Sequence, residues 1–213
     1  LIGRYVSREF LSLLPLSRHD LDRDYLARSR PELFDELWAD DSTRVLALHR
    51  GSALLAGDSE LRLLETSQVP SADLRLYLGR ALAEPVLGAP IVAVVLSDEA
   101  AEALELDPAK WGNLRALGSR LSTLDAGLFT AALALANWHS SHGFSPRTGE
   151  PTTPELGGWV RREAEGKEIF PRTDAAIIVG IVDSNDRMLL GSNALWESNR
   201  YSLLAGFVEP GES

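Results

Sequence analysis

The sequence predicts an α+β fold in more than one domain, and three observations carry that prediction. Short β-type runs crowd residues 43–97. A long helix with an apolar stripe spans 122–141. A nearly continuous apolar strand, Ala175–Val182, follows a stretch rich in Gly, Pro and Thr. The 213 residues suffice for one large domain or two small ones. A content of 45% hydrophobic and 24% charged residues is ordinary for a soluble globular protein.

Residues 17–40 read as helical. Leu21, Tyr25 and Leu26 make one short stripe. Pro31 opens a second helix after Ser29, with Leu33, Phe34, Leu37 and Trp38 on one face. The acid-rich run Asp20–Asp24 reads as a solvated helix start. The β-type runs are Arg44–Leu48, Ala53–Leu55, Leu61–Leu64, Leu74–Leu78 and Ile91–Leu96, punctuated by Gly51, Gly57 and Pro70. Together they predict an antiparallel-rich α+β domain over residues 1–120, with Asp98–Leu106 as a helical connection. In the helix Ser122–Ser141, Leu121, Leu124, Leu128, Leu135 and Trp138 share a face. Ser122 with Asp125 resembles a capping box. This helix, 121–142, is predicted to link the first domain to the segments C-terminal of it.

Residues 143–172 read as a connector anchored by Phe144, Trp159, Ile169 and Phe170. Residues 173–213 then begin a further domain. Its strand Ala175–Val182 suits a sheet covered on both faces. Asp183–Asp186 is a hairpin turn, Met188–Leu190 returns, and Tyr201–Ala205 is a third strand.

Composition excludes several classes. A net charge of −10 argues against non-specific nucleic-acid binding. With no cysteine there are neither disulfides nor thiolate metal sites. No apolar run reaches the roughly 20 residues that span a bilayer. Leu1–Arg8 lacks the basic-then-apolar pattern of a signal peptide, and the initial Leu predicts an incomplete N-terminus. A cytoplasmic protein is the expectation.

Two places carry candidate chemistry. His139 and His142 stand three apart near a helix end, which is a ligand spacing, or else polar residues complementing the helix C-terminus. The other is Tyr201–Ser213, a strand entering an acidic turn bracketed by glycines. The strand is expected to end at Ala205. Gly206 would permit close backbone approach, Pro210-Gly211 is a turn, and Glu212 with Ser213 opens a helix. A phosphate-bound metal needs rigid hard oxygens, which a strand carbonyl and a glutamate-rich helix can supply. The plain alternative is a hairpin after a strand.

Gly206 and Glu212 are spaced as the first two fixed positions of a Nudix box, G-x5-E-x7-R-E-U-x-x-E-E-x-G-U (U aliphatic). With Leu204-Ala205-Gly206-Phe207-Val208-Glu209 stand Asn113–Leu117, Ala136-Asn137-Trp138-His139, Phe144 and Phe170–Ile178. This set resembles the NADH pyrophosphatase (NAD diphosphatase, NudC-type) branch of the Nudix hydrolases. The resemblance covers most of residues 113–213, and the part before matches only in general layout. It implies an N-terminal α+β domain, a degenerate zinc-ribbon connector and the start of a Nudix α/β/α sandwich. It implies hydrolysis of the pyrophosphate of NAD(H) to nicotinamide mononucleotide and AMP, and removal of NAD caps from RNA 5′ ends. Mg²⁺ or Mn²⁺ would neutralise the diphosphate and orient water. A homodimer is implied as well.

By family position the Ala205 carbonyl is a metal ligand, and Phe207 stacks on the nicotinamide or a nearby ring. Phe170 and Arg115 contact substrate, and Glu212 is a catalytic-box glutamate that braces the box Arg. Beside these stand plainer readings. Phe170 and Phe207 also fit as core aromatics, and Arg115 as a surface or ion-pairing residue. The family's four zinc-binding cysteines fall on Ser145, Thr148 and the neighbourhood of Arg162 and Glu165, none of them a thiolate. The connector is therefore expected to keep its shape without zinc, through Phe144, Trp159, turn glycines and an Arg162–Glu165 pair. The box's metal glutamates and the family's S-Q-P-W-P-F-P-x-S motif would follow Ser213, so a protein ending there is expected not to hydrolyse NADH. Two alternatives stay open. One is a Nudix hydrolase of ADP-ribose or another nucleoside diphosphate, the other a catalytically dead binding or dimerisation module.

Overall fold

A strand covered on both faces must be apolar at every position, and Val45, Leu46, Ala47 and Leu48 are all at most 1% exposed. They belong to a computed structural model that describes Leu14, Leu16, Ser17 and residues 19–212. Leu1–Arg8 and the helix-opening Ser213 lie outside the described residues. The chain forms two units, Leu1–Pro171 and Arg172–Ser213.

In the first unit, strand β1 (Leu21–Asp22) is followed by a 3-10 turn (Tyr25–Ser29) and helix α1 (Leu33–Ala39). Then come β2 (Arg44–His49), β3 (Ser52–Gly57), β4 (Glu60–Leu61), β5 (Leu63–Leu64), β6 (Leu74–Ala81) and β7 (Pro90–Val95). Helix α2 (Asp98–Leu104), strand β8 (Trp111–Asn113), the short helix α3 (Leu114–Leu117) and helix α4 (Thr123–Ser141) complete the first layers. The sheet runs β1-β6-β7-β2-β3-β4, with β5 on β2 and β8 on β3. Only the pair β2–β7 is parallel among the named pairs of this sheet, Leu46 standing beside Ala93.

Alternation along the central strands sorts the core. Leu46, Leu48, Leu76, Leu78, Ile91 and Ala93 face α4, where Leu124, Leu128, Phe129, Ala132, Leu135 and Trp138 meet them. Val45, Ala47, Tyr77, Val92 and Val94 face α1 and α2 through Leu33, Leu37 and Ala101. Each buried Leu contributes about 1.5–3 kcal/mol. The expected linking helix is thus a core element of the first unit, and it packs on β1, β2 and β6. At 19 residues it is about 28 Å long, enough to cross the sheet. Ser122 caps it, accepting from the Asp125 amide at 3.0 Å, as expected. Asp125 does not return the favour to its own cap. It is buried, and it accepts from the Leu61 amide at 3.4 Å instead.

The helix expected over 17–40 holds only at its second stripe. Leu21 is buried in β1 opposite Ala81, whereas Tyr25 and Leu26 are 70% and 72% exposed. The acid run Asp20–Asp24 therefore contains a strand, not a helix start. Asp24 adopts a left-handed conformation (φ 41°), which breaks any continuous helix there. Seating β1 requires Gly79. Its φ is 125°, and a Cβ would lie 1.9 Å from the Asp22 carbonyl oxygen.

The rest of the first unit is a three-stranded antiparallel sheet. Its strands are β9 (Thr153–Glu155), β10 (Val160–Arg162) and β11 (Glu168–Ile169), in the order β11-β10-β9. Gly158 seats this sheet close to β6, since a Cβ there would lie 2.5 Å from a Leu76 methyl.

In the second unit β12 (Ala176–Val179) pairs antiparallel with β13 (Leu204–Phe207). The turn after β12 forms as predicted. Asp183 Oδ1 accepts from the amides of Asn185 and Arg187. Met188–Leu190 makes bridges rather than a strand, Met188 opposite Val182. β13 runs past Ala205 through Gly206 and Phe207, because Ile177 and Ala176 still stand in register opposite them. Ile177 and Ile178, on alternate faces, are both exposed among the described residues. No helix among the described residues is long and apolar enough to cross a membrane.

Candidate functional site

At the end of β13 in the second unit, Arg172–Ala175 and Phe207–Pro210 enclose a cavity of about 510 Å³. The Val208 amide donates to the Ala175 carbonyl at 2.9 Å and fixes the two segments together. Phe207 is 75% exposed on its wall among the described residues. Arg172 and Asp174 form an exposed ion pair at 2.7 Å on the same rim. The adjoining acidic turn is closed on itself. Glu212 Oε2 accepts from the Glu209 amide, and the Glu212 amide donates to the Glu209 carbonyl, both at 3.0 Å. Gly211, at φ 89°, makes that turn. Ala205 lies one strand position beyond Gly206, opposite Ile178, and does not line the cavity. A Cβ on Gly206 would meet nothing within 4 Å, so the expected close backbone approach is not made by the described residues.

The other two expected contacts belong to the first unit and to separate cavities. Phe170, exposed, lines one of about 350 Å³ with Tyr25, Arg28 and Trp159. Arg115 sits in the first turn of α3, whose amide is capped by Asn113 Oδ1 at 2.9 Å. It lines a larger apolar cavity with Leu14, Leu114 and Leu133. Sequence reasoning missed Arg172, Asp174 and Glu209. The signal for the first two was the opposite charges of Arg172 and Asp174, two apart just before a strand start.

The ribbon is held by polar groups, and two expectations about it fail. Phe144 is 64% exposed, because strand alternation at its bridge with Pro151 turns it outward and turns Ser145 in. Arg162 does not pair with Glu165. The β10–β11 register sets it opposite Glu168, and it bonds Glu168 at 2.8 Å and Glu155 at 2.5 Å. Ser145 donates instead to buried Glu163 at 2.6 Å, and accepts from the Arg147 and Thr148 amides. Arg147 then reaches Glu163 at 2.7 Å and Glu165 at 2.9 Å. Hydrogen bonds from Ser145 and Arg147 hold the Glu163 carboxyl below the usual carboxylate range. The loops carrying Ser145–Thr148 and Glu163–Gly166 are thus clasped by Ser145, Arg147, Glu163 and Glu165.

His139 and His142 do not act as a pair. His139 is buried, with Nε2 at 2.7 Å from the Gly158 carbonyl and Nδ1 at 2.7 Å from Arg161 Nη1. Since the guanidinium can only donate, Nδ1 accepts and Nε2 carries the proton. Burial lowers the His139 pKa, the Gly158 bond opposes that shift, and Arg161 adds to it. His142 Nδ1 lies 3.2 Å from the Trp138 carbonyl, at the helix C-terminus. Among the described residues no three His, Cys, Asp or Glu side chains gather as a metal site. Oxygen donors near the end of β13 include the Ala205 carbonyl and the carboxylates of Asp174, Glu209 and Glu212.

A family profile described as NADH pyrophosphatase-like rudimentary NUDIX domain matches residues 42–138. It falls on strands β2–β8 and most of α4, and up to residue 112 this is the part where the sequence shows only a general layout. NAD-capped RNA hydrolase NudC of Mycobacterium tuberculosis (strain ATCC 25618 / H37Rv) is 44% identical over 107 residues, 50% of this chain and 34% of that protein. The mitochondrial NAD(P)H pyrophosphatase NUDT13 is 34% identical in Homo sapiens and 33% in Mus musculus, each over 94 residues. Those matches span 44% of this chain and 27% of the relative. The chain thus matches about a third or less of the length of these curated relatives.

Proposed function

We take this chain as a member of the NADH pyrophosphatase family, and we propose that it serves metal-dependent hydrolysis of the pyrophosphate bond of NAD(H). The products would be nicotinamide mononucleotide and AMP. One observation carries the reading. The family profile falls on the first unit, while the separate string Leu204–Glu212 stands in the second. The cavity at the end of β13 suits the reading. Phe207 offers an open ring face for a flat heterocycle. Arg172 supplies a cation for phosphate oxygens in an otherwise acidic chain. The Ala205 carbonyl would give one hard oxygen to Mg²⁺ or Mn²⁺. Bound there, the metal would neutralise the diphosphate and polarise a water.

NAD-capped RNA is a second substrate on this reading, supported by the name of the mycobacterial relative. With a net charge of −10, recognition would rest on the cap rather than on the RNA body. A cytoplasmic homodimer completes the proposal. The test is a product assay on the longest natural protein containing these residues, with NADH, NAD, ADP-ribose and NAD-capped RNA side by side, with and without Mg²⁺. Metal-dependent release of nicotinamide mononucleotide supports the reading. Turnover of ADP-ribose alone, or of none of the four, overturns it.

A further inference from the structure

In the cavity lined by Phe170, the guanidinium of Arg28 lies 3.9 Å above the Trp159 ring. Trp159 is itself pinned, donating Nε1–H to the Tyr77 carbonyl at 2.6 Å. A second cation, Arg23, stands 5.3 Å from the same ring. Cation–π contact orients an arginine but does not cancel its charge. The neighbouring Asp24 is already engaged, accepting from the Tyr77 hydroxyl at 2.7 Å and facing Arg80 at 3.4 Å.

Arg28 is poorly satisfied for a half-buried cation. Nη2 donates to the Arg23 carbonyl at 3.0 Å, and Nε is buried without a hydrogen-bond partner. Burial, and then the charge of Arg23, push its pKa down to about 10, so it stays charged at neutral pH but under-compensated. Among the described residues no acidic residue lines the cavity, although acids outnumber bases in the chain by 31 to 21. Tyr25 presents a 70% exposed ring beside it. The volume, about 350 Å³, lies at the lower end of ligand pockets, which run roughly 300–1,000 Å³.

We propose that Arg23, Tyr25, Arg28 and Trp159 form a binding site for a nucleoside phosphate. The phosphate sits at the Arg28 guanidinium, which lines the cavity, with Arg23 by the same Trp159 ring as a second cation, since charge-assisted bonds are the strong ones. The base stacks on Tyr25, between that ring and the wall made by Phe170 and Pro171. Trp159 holds Arg28 in place and does not itself stack on the ligand. The site shares Phe170 with the expected substrate contacts but its cation and ring, Arg28 and Tyr25, belong to neither the resemblance nor the second unit, so the Arg28 and Tyr25 variants can fail while hydrolysis stands.

The test is a titration of the protein at low salt with AMP, adenosine and inorganic phosphate. It is followed by NMR at the Arg28 Nε–H and the Tyr25 ring, which localises any binding. AMP is expected to bind at least about ten-fold more tightly than adenosine or phosphate, the size of one charge-assisted hydrogen bond. Arg28→Met, which keeps the stem on Trp159, should remove that advantage, and Arg28→Lys should restore part of it. If Arg28→Met does not fold, Tyr25→Leu at an exposed position serves instead. It should weaken AMP several-fold and leave phosphate unchanged. AMP binding no tighter than adenosine or phosphate would overturn the site. So would unmoved resonances at about 10 mM AMP, or variants that bind as the parent does.

Discussion

Replacing Gly79 by Ala tests how β1 is attached to the main sheet. At φ 125° any L-residue is strained, at a cost of about 1–3 kcal/mol. The new Cβ would also lie 1.9 Å from the Asp22 carbonyl oxygen and 3.0 Å from the Arg23 Cα. Both are backbone atoms, so no side-chain rotation relieves the contact. The cheapest relief is for β1, only two residues long, to leave β6. That exposes Leu21, 4% exposed in the intact fold, at about 1.5–3 kcal/mol. It also breaks the bond from the Leu82 amide to the Asp20 carbonyl, worth about 0.5–1.5 kcal/mol. The total is about 3–7 kcal/mol. Urea and thermal melts measure it, and amide exchange at Leu82 reports whether β1 has detached. Gly57→Ala is the control, since its Cβ meets nothing within 4 Å, and it should change stability by less than about 1 kcal/mol. A Gly79→Ala protein within about 1 kcal/mol of the parent, with Leu82 still protected, would refute the reasoning.

Three further outcomes are expected. Glu163→Gln should loosen the ribbon selectively, seen as faster amide exchange at Arg147 and Thr148 with the central strands unchanged. Because the folded pKa of Glu163 is depressed, the clasp is fully present above the unfolded carboxylate value and is lost as pH falls through the folded one. Exchange in that loop should therefore rise on acidification, and Glu163→Gln should abolish the dependence. His139 likewise has a depressed folded pKa, so its contribution is complete above about pH 6.5 and is lost as pH falls below it. Denaturation midpoints against pH should show that fall, and His139→Leu should lower stability while flattening it. Tyr77→Phe removes the bond to Asp24, and melts should register a loss of about 1–2 kcal/mol.

Much of the fold was legible because burial on both faces leaves a plain mark. The runs from Arg44 and from Ile91 read as strands with no help from periodicity, and both are central. Helix 122–141 announced itself through Ser122 and its Leu stripe. Leu21 was misread because a two-residue strand has no periodicity of its own. Its identity comes from pairing with Ala81, distant in sequence. The ribbon was misread for a related reason. Which of Phe144 and Ser145 faces inward depends on register, and one residue of shift reverses the answer. Of the candidate site, Gly206 and Glu212 were singled out by their spacing and Phe207 by the resemblance. Asp174 and Glu209 meet at one cavity only once β12 and β13 have paired.

By itself the sequence determined the central strands, the long helix and the resemblance to the NADH pyrophosphatases, because apolar patterning and short motifs are local properties of a chain. Tertiary structure alone decided that α4 packs into the first unit's core. It alone closed the ribbon with Ser145, Arg147, Glu163 and Glu165, and it alone set Arg28 on Trp159. Each of these joins residues far apart in the chain. Their energies come from burial and from charge brought close, and neither exists until the chain has folded.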